Sequence, residues 1–360
     1  MGTKRLEEID KNFVPATIGE RKLIFLDIRN KPFEISGLGW FDEEREYCRL
    51  PVNRLSETNE GVQALAWHTA GAVLRFRSNS RLLAIRYELR NPDDMPHMPR
   101  TGVSGFDLYR GVGKSKVFVK TTIPEARKTD IEALLVENAD GEMTEWTLNF
   151  PLYNGVKKVQ IGMDPESRIE PPTPYAVQTP IGFYGSSITQ GGCASRPGNA
   201  YTHIMTRWLD ANMLNFGFSG SARAEPVMAE MMCSRDMSVF VYDYDHNAPT
   251  TEYLRETHET FYKLIRQYRP ELPIVMVARP NFDKNDPVCC ERRDIVRKTY
   301  DNAVANGDKR VYYVENETLF GMRDRDACTV DGCHPNDLGF MRMAEGIYPA
   351  VRQALIDSVP

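Results

Sequence analysis

The chain has 360 residues, 41% of them hydrophobic, and its 45 Lys and Arg against 50 Asp and Glu leave a net charge of −5. That length allows two domains with cores of their own. The mild acidity excludes the broad basic field of a nucleic-acid binder, and an odd count of seven cysteines does not make a disulfide framework, so reduced thiols are expected.

The segment Met1–Asp10 lacks the apolar core of a secretory leader, and no uninterrupted apolar run is long enough to span a bilayer. A cytoplasmic protein without membrane partners is the expectation, or a secreted one had a leader been removed. From about residue 20 to 165 short β-rich runs alternate with turns, among them Arg21–Leu26, Ala72–Phe76, Leu82–Tyr87, Lys116–Lys120 and Lys157–Ile161. This spacing predicts a β-sandwich of jelly-roll type. His68 and His97 fall in this half with no evident partner. The proline-rich Glu170–Pro174 reads as a linker, dividing the chain into an accessory domain at 1–170 and a second domain at 171–360.

Beyond the linker, apolar runs alternate with helical stretches. Ile181–Gly185 runs into the turn Gly185-Ser186-Ser187, Met213–Phe216 closes on glycine, and Val239–Asp243 continues into Tyr244-Asp245-His246-Asn247. The amphipathic Thr251–Tyr268 precedes the run Pro273–Ala278, Val311–Val314 gives a fifth strand, and Asn336–Ile356 a closing helix. Such alternation implies a parallel sheet covered on both faces, with functional groups gathered at its carboxyl edge. His203 and His258, within predicted helices, read as packing or surface groups, and the Arg292–Lys298 cluster as a solvated face.

A serine at the end of a buried strand is where such a sheet presents a nucleophile, and Asp331 and His334 supply an acid and a base three residues apart. Each piece has a plainer reading: a Gly-Ser-Ser turn is often only a turn, and Asp331 before Pro335 could open the last helix. The GxSxG elbow is not satisfied, since Thr189 stands at its final glycine. A metal site remains a rival, because Asp243, Asp245, His246, Asp331, Cys333 and His334 are all ligand types; against it, no HExxH, CxxC pair or EF-hand loop is present.

Taken together, Gly185-Ser186-Ser187, Gly220, Asn247 and the Asp331/His334 pair resemble the four blocks of the SGNH, or GDSL, hydrolases. The phrase Gly185–Gly198, with Gly105-Phe106-Asp107-Leu108-Tyr109 upstream, is similar to a two-domain branch of SGNH esterases carrying a GxDLY domain. The resemblance implies a three-layer α/β/α, flavodoxin-like catalytic domain behind the β-sandwich. It makes Ser187 the nucleophile, although Ser186 stands where the usual motif has aspartate. It assigns Asp331 and His334 to the triad, and Ser187 N–H, Gly220 N–H and the Asn247 amide to the oxyanion hole. Those roles are chemically apt: His334 would take the serine proton, Asp331 would hold the imidazole tautomer, and fixed donors would meet the developing oxyanion.

The resulting expectation is a serine esterase removing a small acyl group, such as acetyl, from a small-molecule or oligosaccharide ester, with neither metal nor cofactor. A lipid acylhydrolase and a non-catalytic glycan-binding protein are the alternatives. Arg196, in the loop after the nucleophile, and His246, beside Asn247, are the candidate substrate contacts; loop stabilisation is the competing role for Arg196.

Overall fold

The structure is a computed structural model that describes residues 15–18, 21–92, 94–281, 283 and 285–358; Met1–Asp10, read above for a leader, lies outside them. Its first half contains β1 (Pro15–Ile18), β2 (Arg21–Asp27), β3 (Glu34–Ser36), β4 (Val73–Ser78), β5 (Leu83–Leu89), β6 (Asp107–Arg110), β7 (Val117–Thr121), β8 (Asp130–Val136), β9 (Thr144–Asn149), β10 (Val156–Met163) and β11 (Ile169–Glu170). They form two antiparallel sheets, ordered β1-β2-β10-β5-β8 and β11-β4-β9-β6-β7, with β3 also on β4. Strand alternation turns Ile85, Tyr87 and Ile161 of one sheet toward Leu74, Phe76, Trp146 and Leu148 of the other, in one shared core.

The second half holds β12 (Val177–Gly185), β13 (Ala211–Gly217), β14 (Val239–Asp243), β15 (Ile274–Val277) and β16 (Val311–Val314). All pair in parallel in the order β13-β12-β14-β15-β16, the flavodoxin-like arrangement, whose switch point lies between β12 and β14. Ile181, Phe183, Val239, Val241 and Val275 face one core, shared with helices Tyr201–Leu209 and Asp337–Asp357. The alternate residues Tyr184, Leu214, Phe216, Phe240 and Tyr242 face the other, covered by helices Pro226–Cys233, Thr251–Tyr268 and Pro287–Ala305. No helix among the described residues is long and apolar enough to cross a membrane.

The halves are not merely tethered. Trp40, Leu50, Val62 and Ala66 enter one core of the parallel sheet, and Val103, Leu152 and Tyr153 the other. The proline-rich segment is itself pinned: Thr173 N–H donates to Glu145 Oε2 at 2.8 Å, and Arg75 donates to Thr173 O at 2.6 Å. At the centre of the contact lies Asp107 of the Gly105–Tyr109 signature, with no exposed surface. Its Oδ2 accepts from Arg196 at 2.7 Å and Gly198 N–H at 2.8 Å, and its Oδ1 from Asn149 at 2.7 Å. A side chain at Gly198 would meet Asp107 Oδ2 at 2.7 Å and the Tyr109 hydroxyl at 2.4 Å, so the loop approaches this closely only with glycine there.

Removing one partner of such a pair strands the other charge in a low-dielectric interior. Arg196→Met should cost roughly 3–5 kcal/mol of unfolding free energy. Urea denaturation checks this; a midpoint equal to wild type would mean that the clasp adds nothing to stability.

Candidate active site

The carboxyl end of β12 is built around a residue that cannot carry a side chain. A Cβ on Gly185 would lie 2.1 Å from Thr189 Oγ1 and 2.3 Å from Asp243 O, so the strand turns at once into the short helix Ser187–Gln190. The adjacent serines divide the work of that turn. Ser186 is buried and caps the helix, its Oγ accepting from Ile188 N–H at 3.1 Å. Ser187 is the first helical residue, partly exposed, and its Oγ lies 2.9 Å from His334 Nε2. Its N–H is among the first-turn donors that a helix leaves without an internal acceptor.

The loop from Thr329 to Pro335 presents the other two groups. Asp331 Oδ1 accepts from His334 N–H at 2.7 Å and Cys333 N–H at 3.0 Å, while Oδ2 faces His334 Nδ1 at 2.7 Å. Partial burial opposes ionisation of Asp331, but the His334 side-chain hydrogen bond and the two backbone donors outweigh it and bring its pKa down to about 2. A carboxylate can only accept, so the proton sits on Nδ1 and Nε2 presents a lone pair to the Ser187 hydroxyl. Cys193 N–H donates to Pro335 O at 2.9 Å and ties this loop to the one after Ser187. Asn336, not Asp331, caps the closing helix by accepting from Gly339 N–H.

At the end of β13, Gln190 Oε1 accepts from Ser219 N–H at 3.1 Å. Gly220 is exposed, with φ at +64°, and its N–H donates to Asn247 Oδ1 at 3.0 Å; Asn247 Nδ2 donates to Phe218 O at 2.8 Å. The amide orientation follows from the chemistry, because an N–H can face only the oxygen. This differs from the expectation that Gly220 N–H and the Asn247 amide both point at substrate. The Gly220 donor is spent on orienting Asn247, leaving the second Nδ2 hydrogen and Ser187 N–H as donors with no acceptor among the described residues.

Neither expected substrate contact is placed for that role. Arg196 bonds to Asp107 and, at 2.6 Å, to the Tyr109 hydroxyl, with its guanidinium carbon 4.0 Å from the centre of the Phe118 ring; loop stabilisation consumes it. His246 is half-buried against the Asp331–His334 loop, its Nδ1 3.8 Å from Cys333 Sγ, and burial together with the Arg279 and Arg292 charges pushes its pKa well below the ordinary histidine value. Two members of the rival metal-ligand set are engaged elsewhere. Asp245 is ion-paired to Arg292 at 2.7 Å, and Asp243 accepts from Tyr201 at 2.9 Å and Thr189 at 3.2 Å, burial pushing its carboxyl up to about 7.

Several residues that sequence reasoning missed come from the first half. The Tyr153 hydroxyl donates to Ser187 O at 2.9 Å, and His68 Nδ1 lies 3.2 Å from Gln190 Nε2. Arg49, 1% exposed, donates to Asn215 O at 3.1 Å and Gly217 O at 2.6 Å, fixing the end of β13. His97, expected to lack a partner, has its ring 5.6 Å from that of His334. No local signal marks them, because each acts across more than 30 residues of sequence.

Residues 178–352 match the GDSL-like lipase/acylhydrolase family, and residues 23–169 match the GxDLY family, the N-terminus of SGNH-hydrolase-type esterases. No curated protein matches the chain by sequence. Among solved structures, a Bacteroides ovatus protein assigned as a GDSL-like lipase is 26% identical, with 93% of this chain and 98% of that one covered and a TM-score of 0.84. A salicylyl-acyltransferase of a tetracycline biosynthetic pathway is 17% identical over 94% of this chain and 99% of its own, with a TM-score of 0.75. A family two carbohydrate esterase from Clostridium thermocellum, solved with cellohexaose, is 15% identical over 79% of this chain and 93% of its own, with a TM-score of 0.59.

Two outcomes follow from the geometry. Ser186→Ala removes a helix cap and should lower stability by about 1 kcal/mol while leaving the Ser187–His334 contact in place, as urea titration would read. Asp331 has a folded pKa below its unfolded value, so its contribution to stability is full at neutral pH and is lost as pH falls. The stability gap between wild type and Asp331→Asn should therefore narrow between about pH 5 and about pH 2. A gap independent of pH over that window would show that the carboxylate is not held in its charged form.

Proposed function

Because the chain belongs to the GDSL/SGNH hydrolases, as a carboxylic ester hydrolase with a GxDLY domain ahead of the GDSL-like one, we propose that it cleaves esters through an acyl-enzyme on Ser187. The observation that carries the proposal is the continuous relay from Ser187 Oγ to His334 at 2.9 Å and from His334 to Asp331 at 2.7 Å. In this reading His334 Nε2 accepts the hydroxyl proton as Ser187 attacks the carbonyl, and Asp331 stabilises the imidazolium. Negative charge on the tetrahedral oxygen meets Ser187 N–H and the free Asn247 N–H. His334 then returns the proton to the departing alcohol, and a water, deprotonated by the same nitrogen, releases the acid.

For the substrate we favour a small acyl group, acetyl first, on a carbohydrate or similarly polar alcohol. The support is physical and comparative. Asp331 in the relay and His97, its ring 5.6 Å from that of His334, are both exposed, an open polar setting that suits a hydrated acceptor. A long acyl chain instead needs a deep apolar channel, since its binding energy comes from buried hydrocarbon. The fold is shared with a carbohydrate esterase crystallised with an oligosaccharide. We further assign residues 1–170 as an accessory domain that braces the site through the Asp107 clasp and the Tyr153 hydroxyl.

Ser187→Ala should abolish turnover of a chromogenic acetate and labelling by a fluorophosphonate, whereas Ser186→Ala should retain both. Asn247→Ala should lower kcat about 10²- to 10³-fold, the usual loss for one oxyanion donor. A panel of acetylated sugars against longer acyl esters then fixes the class. Faster turnover of long-chain esters would replace the carbohydrate reading by the lipid one, and binding of sugars without turnover would make the chain a glycan-binding protein.

A further inference from the structure

We propose that His97, Asp331 and His334 form a site for a divalent transition-metal ion, zinc foremost, and that its occupation switches the esterase off. One nitrogen from each imidazole and one Asp331 oxygen all lie within 4.8 Å of one another. Among the described residues His97 has no hydrogen-bond partner; it is exposed, and its recorded contact is the His334 ring. Its backbone is nevertheless fixed, because Met98 N–H donates to Met95 O at 3.3 Å, the Met98 side chain is buried, and Arg100 pairs with Asp94 at 2.8 Å. An unengaged imidazole on a fixed segment therefore stands over a histidine and a carboxylate already in contact.

The donor set decides the ion. Two imidazoles and one carboxylate with an open fourth position suit zinc and its neighbours, while calcium and magnesium favour all-oxygen shells. Zinc bonds of ~2.0–2.1 Å place neighbouring ligands ~3.3 Å apart, so binding turns the exposed His97 side chain toward the pair and widens the 2.7 Å contact between Asp331 and His334. Coordination disables the relay through either nitrogen of His334. A metal on Nδ1 displaces its proton to Nε2, which then cannot accept from Ser187; a metal on Nε2 occupies the lone pair itself. The change is a tautomer shift in the first case and direct blockage in the second, with no redox partner required.

Inhibition rests on the esterase reading; metal binding does not, and the test separates them. The full-length protein, freed of metal by dialysis, would be titrated with zinc chloride by calorimetry and with cobalt(II) by absorption, as wild type, Ser187→Ala and His97→Asn, each checked for fold by circular dichroism. Ser187→Ala should bind zinc as wild type does, and His97→Asn at least about tenfold more weakly, since even outer partners of metal ligands are worth 10- to 100-fold. The zinc concentration that halves each enzyme's own metal-free rate should rise by the same factor in His97→Asn, magnesium and calcium should have no effect, and a chelator should restore the rate. Equal zinc affinity in wild type and His97→Asn overturns the site. His97-dependent binding in a protein that turns over no ester would leave the site standing and remove the esterase reading, whereas turnover with zinc inhibition indifferent to His97→Asn would do the reverse.

Discussion

The buried carboxylate of Asp107 is the constraint on which the arrangement depends. Desolvation disfavours its charge and raises its pKa, and the compensation comes largely from across the contact, from Arg196 and the Gly198 N–H. Neither half can satisfy this group alone, so the Gly105–Tyr109 segment fixes the loop after Ser187 in one register. That loop continues from the helix bearing Ser187 and meets Pro335 through Cys193 N–H. Position is thus passed from the β-sandwich to both the serine and the histidine by hydrogen bonds that admit little displacement.

Three aspartates show how environment divides one side chain among different tasks. Asp107 and Asp243 are fully buried, and in both desolvation pushes the pKa up, in Asp243 to about 7. Asp331 is more open, accepts two backbone N–H groups and the imidazole, and is held at about 2. Asp331, held in its charged form, is the one against His334 Nδ1. Asp243 braces the turn beneath the serine through Thr189 and Tyr201.

Much of this was legible in the sequence, for identifiable reasons. The parallel sheet was readable because residues 181–184 and 239–242 are buried on both faces and hence carry no charged side chain. Ser187, Asp331 and His334 were readable as one set through the resemblance of their motifs, since their segments lie far apart in sequence and meet only in the fold. What stayed hidden depends on pairings distant in sequence. Nothing local distinguishes Arg196 as the counter-ion of Asp107, which lies 89 positions away, from a substrate-binding arginine. Likewise His97 gives no sign of its neighbour until the fold places its segment beside the closing loop.

The Gly220–Asn247 contact bears directly on the proposed oxyanion site. A donor stabilises a transition state best when it needs no reorganisation as charge develops. An asparagine amide on a free side chain would need it, since rotation about its terminal torsion is soft. Here Oδ1 is held by Gly220 N–H and one Nδ2 hydrogen by Phe218 O, so both ends of the amide plane are fixed before substrate arrives. The glycine's positive φ directs its N–H at the asparagine, and an L side chain at φ +64° would be strained even though open space surrounds the position. The glycine acts through the asparagine, and the stiffness of the amide, rather than the number of donors, is what this loop adds to the chemistry.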